Sequence, residues 1–409
     1  MSTPALPRLL AGCRSTHALS FDEHAARHGE AAHRGDALID AVEAAGLRGR
    51  GGAAFPTAVK LRAVAGRRGR RALVINAAEG EPLSAKDRTL LKLAPHLVLD
   101  GALLAAEAVG AREIVIALKR SAASAHEAVS RALAERRDAD RVRLALVGDA
   151  YLTGEETALI RQLDGGPGKP TLTPPRPDER GLRRRPTLVS NPETLAHIAL
   201  IARHGAGWFR EVGTAEHPGS ALVTVDGAVE RPGVYEIGLG MPLSDLIEAP
   251  GAVLVGGYYG TWLPPAAGAR LDDGSLRAHG AALGSGVIVA LPEDACPVAE
   301  VARVVEWMAG ESAGQCGPCV HGLAAIAGAL GALVDGSPDP QVLDRLARWS
   351  GQVRARGACH HPDGVVRFVR SALDVFATEF EDHRRHGPCD GCEREPWLVP
   401  SGARGSQAA

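Results

Sequence analysis

Aromatic residues are scarce in this sequence, since Phe, Trp and Tyr together make up 4% of its 409 residues. The hydrophobic cores must therefore be built mainly from Val, Leu, Ile and Ala. No apolar run reaches the ~18 residues of a membrane-spanning helix, so we expect a protein that does not itself span a membrane. The 46 basic and 48 acidic residues nearly cancel, and this balance gives no electrostatic footprint for binding nucleic acid.

Cysteine is also uncommon, and its distribution is uneven. The chain has seven cysteines, an odd number, and most of them lie in its last third. This pattern favours metal or redox chemistry in a reducing cytoplasm over a framework of disulfides. The length predicts two or three domains at roughly 150 residues each.

The first half of the chain alternates between strand and helix patterns. Short buried-strand runs alternate with segments whose apolar residues recur at helical spacing. This alternation predicts an α/β fold with a parallel, doubly wound sheet, in which ligands bind at the carboxyl ends of the strands. The predicted strands are 71–76, 113–118 and 142–147, and the predicted helices include 35–45, 95–109 and 124–136.

The character of the sequence changes after Gly213. Short β-branched runs bounded by Gly and Pro predict a small mixed α/β module, and helical periodicity then predicts a bundle of four helices. The predicted strands are 221–229, 233–237, 252–256 and 287–291; the predicted bundle helices are 301–308, 322–333, 341–353 and 364–380. We expect the tail beyond residue 386 to be disordered.

A glycine-rich stretch near the start, with glycines at 49, 51 and 52, is the first candidate for a binding site. Glycines let the backbone approach a ligand closely, and their N–H groups can hold an anion. Lys60, a short distance downstream, could reach an anionic group. The spacing matches neither the dinucleotide fingerprint nor the P-loop. A flexible surface loop remains the alternative interpretation.

Polar residues follow two of the predicted strands. Asn76 ends the first strand and Glu79 and Glu81 follow it, and Glu155 and Glu156 come after the strand that ends at 147. Their position at strand ends favours a role in ligand binding. For the second pair there is a structural alternative, in which Thr153 and Glu156 form a capping box at a helix start.

Four segments together carry a resemblance: 49–60; 76–87; 148–157 with 190–194; and 311–319 followed by Cys359. In order and spacing the chain resembles the NADH-oxidising flavoprotein subunit of respiratory complex I and the related diaphorase subunits of hydrogenases and formate dehydrogenases. The resemblance implies an NADH dehydrogenase-like oxidoreductase with three domains and a disordered tail. These are a Rossmann-like FMN-binding α/β domain at 1–213, a β-grasp soluble-ligand-binding module at 218–296, a four-helix iron–sulfur bundle at 297–385, and the tail at 386–409.

The resemblance also implies which residues bind the cofactors. The residues carried over as FMN and NAD(H) contacts are Gly49, Arg50, Gly51, Gly52, Phe55, Lys60, Asn76, Glu79, Gly80, Glu81, Tyr151, Gly154, Glu155, Glu156, Ser190, Asn191 and Thr194. Of these, Phe55, Lys60, Glu81 and Glu156 would serve the nicotinamide dinucleotide. No catalytic residue is assigned, because hydride transfer is the chemistry of the cofactors themselves.

The chain departs from the family pattern in its flavin and dinucleotide sites. Ala78 replaces an acidic residue that would contact the flavin. The family stacks the adenine between aromatic rings. Here Phe55 remains, but Ala63 and Arg176 stand where two further rings are expected. We therefore expect NADH to bind more weakly than in a fully aromatic site.

The expected iron–sulfur site departs further. Cys316, Cys319 and Cys359 match three cluster ligands, but Ala313 stands where the first cysteine is expected. Three thiolates can hold a [3Fe–4S] cluster, or a [4Fe–4S] cluster with a ligand other than cysteine on its fourth iron. Further candidate ligands are His321, His360, His361 and the pair Cys389 and Cys392, which could instead form a zinc site with Cys316 and Cys319. Cys13 and Cys296 are interpreted as structural.

The expected function is oxidation of NAD(P)H through FMN, with electrons leaving through the iron–sulfur centre to a ferredoxin-like or other redox partner. A cytoplasmic location, peripheral to a membrane redox complex, goes with that role. Two alternatives stay open at this point. One is an Rnf-like, ferredoxin-linked electron-transfer subunit, and the other is a non-catalytic subunit with weakened NADH and cluster sites.

Overall fold

The computed structural model describes residues 6–13, 18–248, 251–265, 267–337 and 339–398. By its internal contacts the chain divides into two compact units. The first comprises Met1–Gly80, Ser84–Val223 and Val234–Met241, and the second comprises Glu81–Leu83, Thr224–Gly233 and Pro242–Ala409. The three-domain division stays a prediction.

A parallel four-stranded sheet lies at the centre of the first unit. Its strands are β1 (Arg71–Ala77), β2 (Ala111–Lys119), β3 (Val142–Val147) and β4 (Thr187–Ser190), in the order β3-β2-β1-β4. All neighbouring strands run parallel. The inner strand β1 is apolar and fully buried from Ala72 to Ile75, as expected of a strand covered on both faces. The prediction of a parallel α/β domain is confirmed.

Helices cover this sheet. They are α1 (Phe21–His28), α2 (Gly35–Ala45), α3 (Thr57–Ala65), α4 (Lys86–Leu93), α5 (Pro95–Val109), α6 (Ala123–Ala134), α7 (Glu156–Leu163), α8 (Pro177–Arg180) and α9 (Pro192–Arg210). The most closely packed of them are α5 and α9. A Cβ added at Gly101 of α5 would lie 1.8 Å from the carbonyl oxygen of Leu195 in α9, so only glycine allows the two backbones to come this close.

A second, mixed sheet has the strand order β6-β5-β9-β7-β8. Its strands are β5 (Ser220–Gly227), β6 (Gly233–Gly238), β7 (Val253–Val255), β8 (Thr261–Leu263) and β9 (Val287–Ala290), accompanied by the short helices α10 (Leu243–Leu246) and α11 (Asp273–Ala278). Strand β9 pairs parallel with β5 and antiparallel with β7. The strand β8 was not predicted from the sequence.

The C-terminal part of the second unit is helical. Its helices are α12 (Pro297–Gly310), α13 (Ala324–Val334), α14 (Val342–Val353), α15 (His361–Val375) and α16 (Ala377–His386), and a π-helical turn, Pro318–Leu323, precedes α13. The single helix predicted over 364–380 is wrong. The backbone leaves helical geometry at Phe376 (φ −108°, ψ 33°), whose buried ring packs edge-on against Trp262 with the ring centroids 5.0 Å apart.

The disorder predicted from residue 386 onward is wrong for residues 387–398. This segment contains a 3₁₀ turn, Asp390–Glu393, and buries Cys392 and Leu398. The segment is short and polar, so it has no apolar periodicity from which an ordered structure could be predicted. Residues 399–409, to which the same prediction applied, lie outside the described residues.

Within the described ranges, no helix taken alone is long and apolar enough to cross a membrane. Helices α4 and α5 meet that criterion only when counted together, and they are bent by 96° relative to each other.

Candidate functional site

The polar segments predicted to bind ligand meet at one edge of the parallel sheet. Ile75 pairs with Ser190, so strands β1 and β4 end side by side. The Asn76 side chain then donates a hydrogen bond from Nδ2 to the carbonyl oxygen of Gly154, at 2.8 Å. The sheet therefore brings together the segments that follow β1, β3 and β4, as the carboxyl-end rule for parallel sheets predicts.

Two of the glycines in these segments are required by the protein itself. A Cβ at Gly80 would lie 2.7 Å from the carbonyl oxygen of Tyr151, and one at Gly154 would lie 2.8 Å from that of Ala78. Both distances are too short for a real Cβ. The two backbone segments pass each other here without side chains, and Tyr151 itself is buried.

The glycine-rich loop is closed by backbone hydrogen bonds. The N–H of Gly49 donates to the carbonyl oxygen of Phe55 at 2.8 Å. Between them, Gly52 has a φ of +106°, in the left-handed region that favours glycine. The N–H of Arg50 donates to Oγ1 of Thr194 at 2.8 Å, which ties the loop to α9.

The glycines at 49 and 51 have a different explanation from those at 80 and 154. Neither has a positive φ, and an added Cβ would make only ordinary contacts, 3.5 Å from the Phe55 oxygen and 3.4 Å from Cβ of Asn191. Packing within the protein therefore does not demand glycine at either position. A ligand that approaches the backbone here would demand it, so the loop passes this test of fit for a phosphate-bearing cofactor.

The Arg50 side chain faces the protein interior. Its guanidinium donates to the carbonyl oxygen of Ser220 from Nε at 3.2 Å and from Nη2 at 3.0 Å, and Nε lies 3.8 Å from Oε1 of Glu193. The guanidinium and the backbone N–H of Arg50 are therefore both engaged within the protein, and together they hold the loop in place.

A buried ionic network lies beside the loop, centred on Lys86. Its ammonium is 2.7 Å from Oδ1 of Asp87 and 2.8 Å from Oε2 of Glu193. The other Asp87 oxygen accepts from Nδ2 of Asn191 at 2.6 Å, and Oε1 of Glu193 accepts from the N–H of Leu222 at 2.9 Å. Lys86, Asp87 and Glu193 were not among the predicted site residues.

These contacts shift the pKa of all three charged groups. Burial opposes charge on Lys86, but the two carboxylates outweigh it and raise its pKa above the ordinary value. Burial, with the nearby Glu79 charge, raises the pKa of Asp87 to about 6 in spite of Lys86. Burial also opposes the negative charge of Glu193, yet the attraction of Lys86 and its other cationic neighbours outweighs burial and lowers the pKa of Glu193 to about 2. Lys86 and Glu193 are therefore both charged at neutral pH.

Two of the predicted glutamates accept hydrogen bonds from N–H groups in the first turn of a helix. Oε1 of Glu79 accepts from Oγ of Ser84 at 2.5 Å and from the N–H of Asp87 at 3.1 Å, in the first turn of α4. Glu155 is the N-cap of α7, and its Oε2 accepts from the N–H of Ala158 at 2.8 Å. The carboxylates are thereby held in fixed orientations.

The capping box predicted for Thr153 and Glu156 is wrong, because Glu155 takes the N-cap position itself. Glu156 is instead left on the outer side of α7, where its Oε2 accepts from Nζ of Lys60 at 2.9 Å. Both of these side chains are partly open to solvent, with exposed fractions of 32% for Lys60 and 40% for Glu156. The structure thus brings together two residues predicted to contact the dinucleotide.

The other residues of the predicted dinucleotide site differ in their exposure. The Phe55 ring is 46% exposed, which is unusual for a large apolar side chain. Arg176 is also exposed, at the N-cap of α8. Glu81 is buried, and its Oε2 accepts from the N–H of Tyr258 at 2.8 Å.

The three predicted cluster ligands act on one another. Cys319 is buried in the π-helical turn, a kind of local distortion that is frequent at functional sites. Burial, followed by the negative charges of the Cys316 and Cys359 thiolates, raises the pKa of the Cys319 thiol to about 12. A cation bound by this thiolate would offset that cost.

His361 does not serve as a further cluster ligand. Its Nε2 donates to the carbonyl oxygen of Met308 at 2.8 Å, and its Nδ1 lies 2.8 Å from the hydroxyl of Tyr259. Both ring nitrogens are thus engaged within the protein. His321 and His360 are exposed, and both remain candidates.

The structure places Cys389 and Cys392 in a different group from either one predicted. Sγ of Cys392 lies 3.5 Å from that of Cys296 and 3.3 Å from Nε2 of His383. The pair thus groups with Cys296 and His383, and the hypotheses that joined it to the cluster cysteines are not supported. His383 was missed because its sequence position gives no sign of this contact.

Comparison with known proteins identifies the family. Three family models match the chain: the Nuo51 FMN-binding domain at residues 42–200, the SLBB domain at 222–259, and the NADH-ubiquinone oxidoreductase-F iron-sulfur binding region at 299–383. The second F-type subunit of NADH-quinone oxidoreductase in Rhizobium meliloti is 32% identical over 379 residues, which is 87% of this chain and 90% of the relative. The F-type subunit of the same enzyme in Streptomyces coelicolor is 33% identical over 388 residues, covering 88% and 86%.

The chain belongs to the family of F-type subunits of NADH-quinone oxidoreductase. A crystal structure of an NAD+-reducing [NiFe]-hydrogenase in the H2-reduced state is similar as well, with 34% identity and a TM-score of 0.82. That match covers 93% of this chain and 67% of the hydrogenase chain.

The ranges that match this NADH-quinone oxidoreductase family coincide with most of the groups described above. The glycine-rich loop, the sheet edge and the Lys86 network lie within the range of the FMN-binding model. Cys316, Cys319 and Cys359 lie within the range of the iron–sulfur model. Cys296, Cys389 and Cys392 lie outside it.

The Lys86 network predicts a large cost for Glu193→Gln. The variant leaves a buried ammonium with one carboxylate instead of two, so we expect the free energy of unfolding to fall by about 3–5 kcal/mol. Chemical denaturation at neutral pH measures this difference. The control is Glu107→Gln, which breaks the exposed pair with Arg34 and should cost about 0–1 kcal/mol. An equal loss of stability in the two variants would contradict the conclusion that Glu193 belongs to a buried ionic network.

The free energy of unfolding of Glu193→Gln should also depend on pH differently from that of the wild type. Because the pKa of Glu193 is lowered from 4.5 to about 2, its contribution is fully present above pH 4.5 and is lost as the pH falls toward 2. The variant should lack this component of acid destabilisation.

Proposed function

We propose that this chain is the electron-input subunit of a redox complex: it oxidises NADH at an FMN site and passes electrons through an iron–sulfur centre to a partner subunit. The observation that carries the proposal is the sheet edge, where Asn76 meets the segment that leads to Glu155, and where the glycine-rich loop lies beside Asn191 and Thr194. FMN, when bound, supplies the chemistry that links a two-electron donor to one-electron carriers.

The proposed FMN site uses backbone more than charged side chains. The loop at 49–52 would hold the phosphate through the N–H groups of Gly51 and Gly52, because those of Gly49 and Arg50 donate within the protein. The amides of Asn76 and Asn191 would offer donors and acceptors to ribityl or flavin edges. Both amides are already fixed in orientation: Asn76 donates to Gly154, while Asn191 donates to Asp87 and accepts from the N–H of Glu193. Such fixed groups lose little entropy when a ligand binds. The proposed set is completed by Glu79, Gly80, Tyr151, Gly154, Glu155, Ser190 and Thr194.

The proposed dinucleotide site lies where Phe55, Lys60 and Glu156 are accessible. The exposed Phe55 ring would stack on a base, Lys60 would meet the pyrophosphate, and Glu156 would accept from ribose hydroxyls. Glu81 stays a predicted contact of the dinucleotide. Ala63 and Arg176 supply no ring, so we expect weaker binding of NADH than in a fully aromatic site.

Electrons would leave through a cluster held by Cys316, Cys319 and Cys359. Ala313 leaves one iron without a cysteine ligand, so the cluster is proposed to be a [3Fe–4S] or a [4Fe–4S] centre with a non-cysteine ligand. The acceptor is proposed to be another redox subunit, because the relatives are named as subunits or as a NAD+-reducing hydrogenase. A cytoplasmic position, peripheral to a membrane complex, is part of the same proposal.

The finer architecture is proposed along the predicted boundaries. Residues 1–213 would form the Rossmann-like FMN domain, 218–296 a β-grasp soluble-ligand-binding module, and 297–385 the iron–sulfur bundle. The match of the SLBB model to residues 222–259 supports the second of these assignments.

Gly51→Ala tests the flavin site. The added methyl group would make ordinary contact with Asn191, so the fold should be retained, while a ligand against the backbone would be displaced. We expect FMN affinity, measured by fluorescence titration, to fall at least about tenfold, or ~1.4 kcal/mol. Gly207→Ala is the control, since a Cβ there meets no atom within 4 Å. Unchanged affinity in Gly51→Ala would remove the loop from the site.

Lys60→Met tests the choice of donor. Loss of the charge should raise KM for NADH by about tenfold in an assay with an artificial electron acceptor, with FMN content unchanged. Arg62→Met is the matched control, because Arg62 lies on the same helix but pairs with Asp40 and Glu43. A flavin that NADH does not bleach in the wild type, but reduced ferredoxin does, would favour the Rnf-like alternative.

Cys319→Ser tests the cluster. Removing one of three thiolates should abolish the bound iron and the brown colour, while FMN stays bound. Ala313→Cys should restore a fourth thiolate and slow the loss of iron in air, followed by visible absorption and iron analysis. If the wild type, purified anaerobically, holds flavin but no iron, the outward electron route proposed here is wrong.

A further inference from the structure

A compact group of three cysteines and one histidine lies outside the cofactor sites described above. It consists of Cys296, which is the N-cap of α12, His383 in α16, and Cys389 and Cys392 in the segment after α16. The three sulfurs and one ring nitrogen all lie within 4.8 Å of one another. Cys296, His383 and Cys392 are buried, and Cys389 is exposed.

We propose that these four residues bind one Zn²⁺ ion as a structural Cys₃His site. Zinc takes sulfur ligands at about 2.3 Å and nitrogen ligands at about 2.0 Å in a tetrahedron, which places two sulfurs about 3.8 Å apart and a sulfur and nitrogen about 3.5 Å apart. The sulfur of Cys392 is 3.9 Å from that of Cys389 and 3.5 Å from that of Cys296. Nε2 of His383 is 3.3 Å from both Cys296 and Cys392.

Disulfide bonding does not account for these distances. Bonded sulfurs are about 2.05 Å apart, well below the 3.5 Å between Cys392 and Cys296. Thiols are also weak hydrogen-bond partners, so hydrogen bonding alone gives little reason for three cysteines and a histidine to converge from three chain segments. A shared cation explains the convergence, since it binds all four at once.

The surroundings orient the ligands as a metal requires. Nδ1 of His383 donates to the carbonyl oxygen of Glu379 at 2.8 Å, which leaves the lone pair of Nε2 directed at the three sulfurs. The Cys296 sulfur accepts from the N–H of Ala299 at 3.3 Å, at the start of a 14-residue helix. This hydrogen bond fixes the position of the sulfur at the start of the helix.

A glycine allows the C-terminal turn to close over the site. A Cβ at Gly391 would lie 3.1 Å from Cβ of Cys296, tighter than most real contacts. Four protein ligands of the Cys₃His type fill the tetrahedron and leave no position for substrate, which is typical of a structural zinc site rather than a catalytic one.

The ion would hold the end of the described chain against α12. In the same segment, Glu300 accepts from the N–H of Trp397 at 3.1 Å and of Leu398 at 2.9 Å, and Arg303 donates to the carbonyl oxygen of Cys392. The Tyr258 hydroxyl donates to the carbonyl oxygen of Leu398. These contacts need the segment to be folded back against α12. The zinc site supplies that constraint.

The experiment measures zinc and iron separately in the full-length protein, purified anaerobically without chelators. We expect about one zinc ion per chain in the wild type. Cys389→Ser should lose the zinc and keep the iron, and because Cys389 is exposed the change should not disturb packing. Cys319→Ser should keep the zinc. Cys13→Ser is the control and should lose neither metal.

Cobalt substitution provides a second measurement of the same site. Co²⁺ bound in place of zinc should show the intense visible bands of a tetrahedral thiolate site in the wild type and the control, and not in Cys389→Ser. The proposal is wrong if the wild type holds no zinc, if Cys389→Ser retains it, or if mass spectrometry finds a Cys296–Cys392 disulfide in the anaerobic protein. Because iron and flavin are measured independently, these outcomes do not depend on the proposed function.

Discussion

The candidate site depends on one buried positive charge, the ammonium of Lys86 between Asp87 and Glu193. An isolated ammonium would be costly to bury, so each carboxylate is needed to keep it charged. The second oxygen of each carboxylate then fixes another element: Asp87 orients Asn191, and Glu193 accepts from the backbone of Leu222. The start of α4, the start of α9 and the beginning of β5 are thus held together by the same few charges.

The carboxylates at the sheet edge are also held by contacts within the protein. Glu79 and Glu155 each bind backbone N–H groups at the start of a helix, so their charges are already balanced by helix termini. A flavin phosphate brought to this edge would meet fewer unbalanced negative charges than the sequence suggests. The glycine-rich loop, with its accessible backbone, is then the element suited to hold an anion.

The sequence predicted those features that depend on local pattern. The run from Arg71 to Asn76 predicted a buried strand, which the structure shows as Arg71–Ala77, and the parallel sheet then followed from its alternation with helices. Residues after the strand ends were correctly expected to meet, because parallel strands share one edge. Local pattern failed where tertiary contacts decide: the packing of Phe376 on Trp262 ends α15, although the apolar periodicity continues through that residue.

Long-range partners could not be predicted in the same way. Lys86 and Glu193 are 107 positions apart, and Cys296 and His383 are 87 apart. A charged residue in a short motif is usually solvated, and a single histidine on a helix usually has no metal. Only the fold shows that the two members of each pair lie together in a small, buried volume.

The two groups of cysteines in the second unit differ in a way that follows from the size of what they would bind. Around Cys296 the four ligand atoms lie within 4.8 Å of one another, a spacing that suits a single ion. Cys316, Cys319 and Cys359 interact through their charges but do not form a group of that compactness among the described residues. A cluster contains several iron atoms, so the cluster proposed for these three cysteines does not need its thiolates within that distance of one another. The loss of a cysteine at Ala313 and the presence of Cys389 and Cys392 are therefore separate features, since the extra pair already has its own partners.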